Sequence, residues 1–330
     1  MTVKVGLIHL HHGFSLVELM VALVISLFLT LGLFTMLRMS VTNVTTTSQF
    51  NQLQENGRIA LSILERDISQ TGFWGDTTKQ SLIIGSNASV ISPTMSTAND
   101  CIGEGTNNAS YPKTGSIPFR ALWGYSNGSS ITGITCLSSV DIDTDVLQLK
   151  RLSNLTTTAP NVANRHYVAT TASQATFFMG SQAAPNLPNV RYWEYKHHVY
   201  YIRTQDGVPS LRRRRLVGLN MLGNGGGDEQ LVEGIEQMRF LYGVDNNGDS
   251  RVDSFISANN VPEVIWDGSQ SKRIIALQVF ILVRAIEPDR NYTNNIVYKL
   301  GGLTIAAKND HYRRKVMMTT VSLENLVANQ

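Results

Sequence analysis

The chain has 330 residues, 42% hydrophobic and 16% charged, with 28 Lys and Arg against 25 Asp and Glu for a formal net of +3. That near balance gives no support to nucleic-acid binding as a main role, while the length allows one membrane stem and a sizeable globular region. The low charge and the abundance of Ser, Thr and Asn suit an exported surface protein better than a cytosolic one.

Residues 1–13 read as a leader, with Lys4, His9, His11 and His12 on the side expected to stay inside. Losing Lys4 with it leaves 27 basic residues against 25 acidic ones, a net of +2. From 14 to 37 the chain is apolar except for one ionisable side chain, Glu18, and the run ends at Arg38. As a helix rising about 1.5 Å per residue it spans roughly 36 Å, against a hydrocarbon core of about 30 Å, so it can cross a bilayer. A charge inside such a segment costs on the order of 2.5–3.5 kcal/mol on insertion scales, so Glu18 needs a partner. Cleavage after Gly13 would set the new ammonium of Phe14 one helical turn from Glu18, and the acid could pair with that amine or with a neighbouring subunit's. The order Gly13-Phe14-Ser15-Leu16-Val17-Glu18 before an unbroken apolar helix resembles the prepilin motif of type IV pilins and type II secretion pseudopilins. The resemblance implies a prepilin peptidase cutting between Gly13 and Phe14, methylation of the new N-terminus, and Glu18 as the assembly acid. The leader is less basic than is usual in that family, so orientation rests also on Arg38.

From 38 to 72 the helix is expected to continue out of the membrane. Val41, Val44, Phe50, Leu53, Leu61, Leu64 and Ile68 recur at helical spacings as one apolar stripe, which a sheet laid against it would bury. The Thr45-Thr46-Thr47-Ser48 run and Gly57 are poor helix formers, so a bend or local melting is expected there. Gly72 supplies the stop. The exit, Leu64-Glu65-Arg66-Asp67-Ile68 through Gly72-Phe73-Trp74-Gly75, resembles the same helix end in the PilW group of minor pilins; a generic amphipathic helix end would read the same way.

Residues 73–330 form the exported head, loop-rich over 73–185 and sheet-forming over 186–330. Cys101 and Cys136 fall in a compartment that favours pairing, which leaves two buried thiols as the alternative and too few ligands for a metal. Gly124-Tyr125-Ser126-Asn127-Gly128 matches a nucleophile elbow formally, but Asn-Gly-Ser-Ser follows where a helix is required, and the stretch reads as a turn. Residues 190–195 and 198–203, rich in aromatic and β-branched side chains, read as a hairpin about Lys196-His197, with His197 and His198 as turn and face residues. Arg212, Arg213, Arg214 and Arg215 read either as a contact for an acidic partner subunit or phospholipid headgroups, or as a solvated strand edge. The glycine-rich 223–227 stretch has no strand-to-helix context for phosphate.

Leu231-Val232-Glu233-Gly234-Ile235-Glu236 through Met238 and Tyr242-Gly243-Val244-Asp245 resembles a second PilW-type block, far from the leader. The following run places Asp245, Asn247 and Asp249 at alternate positions, with Asp253 beyond, and such oxygens could converge on calcium; the EF-hand rule is broken by Gly248 and Ile256. Asn247-Gly248 reads equally as a turn between strands 238–244 and 252–256. Residues 274–284 are almost continuously apolar and read as a central buried strand. The closing segment from Asp310 through Arg313-Arg314-Lys315-Val316 to Asn325 resembles the last strand of the same family, with Glu324 where an arginine is usual.

The expected fold is α+β and pilin-like, a long N-terminal helix on a mainly antiparallel sheet. The resemblance implies a non-enzymatic minor pilin, held in the inner membrane with its head in the periplasm and then in a pilus, acting in filament priming near the tip. It would require no cofactor. Its partners would be other minor pilins and the major pilin through the N-terminal helices, the prepilin peptidase, and a large tip adhesin. A type II secretion minor pseudopilin and a membrane-anchored calcium-dependent adhesin are the competing readings.

Overall fold

The computed structural model describes residues 13, 15–78, 80–128, 133–137, 139–221, 228–268 and 272–328. Phe14, the leader before Gly13, and the 223–227 stretch lie outside the described residues. Two compact units divide the chain, Met1–Asn51 and Gln52–Gln330.

In the first unit the described chain is the leading part of helix α1 (Leu16–Ile68). Its hydroxyls turn back onto the helix: Ser26 donates to the Leu23 carbonyl, Thr30 to Ser26 and Leu27, Thr35 to Gly32, Thr42 to Arg38 and Thr45 to Val41. A hydroxyl satisfied by its own helix can lie in hydrocarbon. The local melting expected at the Thr45–Ser48 run does not occur, since α1 is continuous there and the weak propensity of β-branched residues yields to helix cooperativity.

In the second unit Leu53, Ala60, Leu61, Leu64 and Ile68 of α1 are buried in the main core. Gly57 is no melting point either. A Cβ there would collide with the Met317 sulfur and crowd the Val283 side chain, so this glycine lets the helix backbone approach the sheet. Beyond Ile68 the chain takes a left-handed step at Gly72, φ 75°, and the Gly72 N–H donates to the Lys150 carbonyl at 3.1 Å.

The strands are β1 (Ala88–Val90), β2 (Leu122–Ser126), β3 (Asp145–Thr157), β4 (His166–Thr170), β5 (Ala175–Met179), β6 (Arg191–Gln205), β7 (Val208–Arg215), β8 (Asp228–Glu233), β9 (Ile235–Asp245), β10 (Ser254–Ser257), β11 (Arg273–Arg284), β12 (Tyr298–Leu300), β13 (Leu303–Ile305) and β14 (Arg314–Ser322). One sheet has the order β1-β5-β4-β6-β3-β2, with β7 on β6 and β8 on β7. Its β1–β5 pair is parallel and its other pairs antiparallel. The second sheet runs β10-β9-β11-β14, all antiparallel. The apolar run 274–284 is β11, with a partner on each side, as a continuously buried strand requires.

Two local readings are corrected. Residues 190–203 are not a hairpin: β6 passes through Lys196 and His197, which pair with Arg151 and Lys150 of β3. The turn comes at Asp206-Gly207, where both residues take positive φ of 52° and 78°, the requirement of a two-residue hairpin and the reason Asp-Gly serves there. Gly124-Tyr125-Ser126 are not a turn but lie on β2, paired with Leu147, Val146 and Asp145 of β3.

Cys101 and Cys136 form a disulfide across a separation of 35 residues. In the chain-entropy view it stabilises the head by about 3–4 kcal/mol. Cys101→Ser/Cys136→Ser is therefore expected to lower the denaturation midpoint without changing the baseline spectra, measured by urea titration followed by Trp fluorescence.

Three histidines are buried as neutral rings. His166 donates from Nε2 to the Gly218 carbonyl at 2.7 Å, and burial pushes its pKa from 6.5 down to about 4. His197 accepts from the Gln148 amide at 2.8 Å, and His198 donates to Asp67 at 2.6 Å; burial lowers both. A histidine with a depressed folded value contributes stability above its unfolded pKa and loses it as pH falls through that value toward the folded one. His166 alone, between 6.5 and about 4, accounts for about 3 kcal/mol. The head is expected to lose thermal stability progressively below pH 6.5, and melts across pH 7.5 to 4 in ~0.5-unit steps measure it.

Candidate assembly site

At the start of α1 the Ser15 hydroxyl accepts from the Glu18 N–H at 3.2 Å, and the Glu18 carboxylate accepts from the Ser15 N–H at 3.1 Å. This is a reciprocal capping box, Ser-x-x-Glu, which satisfies two of the free donors at a helix N-terminus and places an anion at the positive end of the helix dipole. The spacing is plain in Ser15-Leu16-Val17-Glu18, but reading the acid for its membrane cost alone passed over it. Gly13, on the N-terminal side, is exposed. From Leu16 to Met39 the large apolar side chains stand open, Leu16 at 76% and Phe28 at 70%. Among the described residues α1 is the helix long and apolar enough to cross a membrane. A helix uncovered all round, with one acid at its start, can be covered by lipid or by other such helices.

A second constellation lies at the other end of α1. The buried Asp67 accepts from Arg151 Nε at 2.5 Å, from His198 Nδ1 at 2.6 Å and from the Tyr200 hydroxyl at 2.6 Å. Burial pushes its carboxyl up, but His198, Arg151 and Tyr200 outweigh that and hold it well below the usual carboxylate range. One helix residue is thereby tied to β3 and β6. Asp67 follows Leu64 by three residues and Ala60 by seven, on the buried face, and a charge inside an apolar stripe was the available signal.

The arginine run falls on β7, which has β6 on one side and β8 on the other, so the strand-edge reading is corrected. Alternate residues go to opposite faces. Arg213 donates to Glu229 at 2.6 Å, and Arg215 pairs with the same carboxylate at 2.6 Å. Arg212 pairs with Asp228 at 3.3 Å, and the buried Arg214 donates to the Met221 carbonyl at 3.1 Å. Arg213 and Arg215 line a polar cleft with Arg66, Asp67, Arg151 and Lys196.

Asp245 at the end of β9 and Asn247, Asp249 and Asp253 in the loop to β10 turn oxygens to the backbone of that loop. Asp245 accepts from the N–H groups of Asn247, Gly248 and Ser250 and pairs with Arg273 at 3.2 Å. Asn247 accepts from the Asp249 N–H, Asp249 from Arg251 and Asp253 from Asn246. Among the described residues no group of three or more His, Cys, Asp or Glu is arranged to hold a metal.

Residues 199–325 match the model of a family described as type IV pilus-assembly protein W, PilW, and residues 9–34 match the prokaryotic N-terminal methylation motif. A type IV-like pilin from Thermus thermophilus is similar over 84% of this chain and 98% of its own, with 14% identity and a TM-score of 0.37. No curated protein matches the chain.

Proposed function

We propose that this chain is a type IV pilus minor pilin of the PilW type and takes part in starting or extending the filament at or near its tip. The observation that carries the reading is the pair of independent matches, one on the methylation motif at residues 9–34 and one on the distant 199–325 segment. In this reading a prepilin peptidase removes the leader after Gly13, and the amine of Phe14 is methylated. α1 holds the chain in the inner membrane, head in the periplasm, and then packs among the helices of other minor pilins and the major pilin. Glu18 leaves its bond to Ser15 and takes the N-terminal ammonium of a neighbouring subunit, which fixes axial register, while the uncovered apolar side chains supply adhesion. A large adhesin at the tip would be a further partner.

The role is structural. No catalytic step is assigned to any residue. Calcium forms no part of this reading, because Asp245, Asn247, Asp249 and Asp253 already serve the loop's own donors. Arg212–Arg215 are occupied inside the head, and contact with an acidic partner would fall on the half-exposed side of Arg215, whose side chain is 44% open.

N-terminal mass analysis of the protein recovered from intact cells tests the reading. The chain is expected to begin at Phe14 with one methyl group, and its deletion to reduce surface filaments and twitching while leaving type II secretion unchanged. Recovery with the first thirteen residues still attached, or a secretion defect with normal filaments, would overturn it.

A further inference from the structure

Lys150 lies in the middle of β3 with its side chain completely buried. Its Nζ donates to the Asn108 side-chain oxygen at 2.9 Å and to the Arg120 carbonyl at 2.9 Å, and sits 4.6 Å from the centre of the Phe119 ring. Asn108 is buried too, and its Nδ2 donates to the Glu104 carbonyl at 3.1 Å, which fixes the orientation of the amide and turns its oxygen to the lysine. A Cβ at Gly103 would collide with that Nδ2, so the glycine lets the amide sit against the backbone. Two neutral carbonyl oxygens and an aromatic face are poor compensation for a buried ammonium. Consistent with this, burial lowers the Lys150 pKa well below its ordinary value, toward the neutral amine that acts as a nucleophile.

We propose that Lys150 and Asn108 become joined by an intramolecular isopeptide bond that the folded head forms by itself. The amide carbon of Asn108 is one bond beyond the oxygen that Nζ touches, so the fold already holds the two reacting groups side by side. The Nζ lone pair adds to Cγ, and the Cγ–Nδ2 bond then breaks with its electron pair remaining on nitrogen. One proton moves from Nζ to Nδ2, and ammonia leaves; nothing is oxidised or reduced and no co-reactant is needed. The buried Asp100, held by the Ser110 N–H at 3.1 Å and by the Ser110 hydroxyl at 2.6 Å, adds a negative field that favours the positive charge developing on Nζ as the bond forms. The bond would anchor the segment that Cys101 begins to the centre of β3, so the loop-rich part of the head would carry two covalent ties instead of one.

The test uses the full chain purified in detergent, reduced and alkylated, then digested and mapped by mass spectrometry. The expected result is a branched peptide uniting the Asn108 and Lys150 segments, lighter by one ammonia than their sum, with loss of cleavage after Lys150. Lys150→Met, with its Cys101–Cys136 disulfide intact as a check on folding, is expected to yield the Asn108 peptide at its unmodified mass. Recovery of both wild-type segments as separate linear peptides, with the Asn108 amide and the Lys150 amine intact, would overturn the proposal without recourse to any variant.

Discussion

Glu18→Val is expected to leave the chain in the membrane and to keep it out of filaments. Removing the acid relieves an insertion cost of about 2.5–3.5 kcal/mol, so the membrane-bound fraction should be unchanged or higher. Assembly should fall below detection, because the proposed contact with a neighbour's ammonium is a charge pair in a low-dielectric setting, where the remaining charge would be stranded. The capping box makes the valine variant ambiguous by itself, since it also removes the bond to the Ser15 N–H. Glu18→Gln separates the two roles. Glutamine can close the same box but carries no charge. If capping is what matters, Glu18→Gln assembles normally and Ser15→Ala does not. If charge matters, the order is reversed, with Ser15→Ala costing only about 1 kcal/mol of helix stability. Counting the protein in sheared filaments against the membrane pool reads both outcomes, and normal incorporation of Glu18→Gln would sink the pairing role.

Much of this molecule was legible because its signals are one-dimensional. An uncharged run long enough for a bilayer admits few alternatives to a helix, and the apolar stretch 274–284 admits few alternatives to an interior strand, which β11 is. The turn at Asn247-Gly248 follows from Gly248, which takes φ 82°. Other features depend on pairing across the fold. Lys196-His197 looked like a turn because polar residues interrupt an aromatic run, but Arg151 and Lys150 stand opposite in β3 and the ladder carries the strand on. The arginine run read as a partner contact or as an edge because nothing in the sequence shows that Asp228 and Glu229, on the next strand, return to meet it. The melting expected at Thr45–Ser48 and at Gly57 does not occur, because propensity is a weak prior inside a helix of 53 residues. The Asp67 cluster was missed for the same reason of distance: its partners lie 84, 131 and 133 residues away.

That cluster carries the other large effect. Asp67→Ala removes the anion that three donors face and leaves the Arg151 guanidinium, 10% exposed at its side chain, without its carboxylate. Breaking a buried pair by removing one partner costs about 3–5 kcal/mol, which for a head of this size lowers the melting temperature by about 10 °C. The pair need not be stabilising relative to an apolar core for this to hold; the cost comes from the stranded charge. Arg151→Ala in the same chain should therefore recover part of the loss, and the double variant should be less destabilised than the sum of the single ones. The pH dependence has a definite sign. Because the folded Asp67 carboxyl lies below its ordinary value of 3.8, its contribution is fully present above that pH and is lost as pH falls beneath it. Wild type and Asp67→Ala should differ most near neutrality and converge in acid below about pH 4. Thermal melts of the full chain in detergent at neutral and acid pH test the argument, and strictly additive single and double variants would remove Asp67 and Arg151 from it.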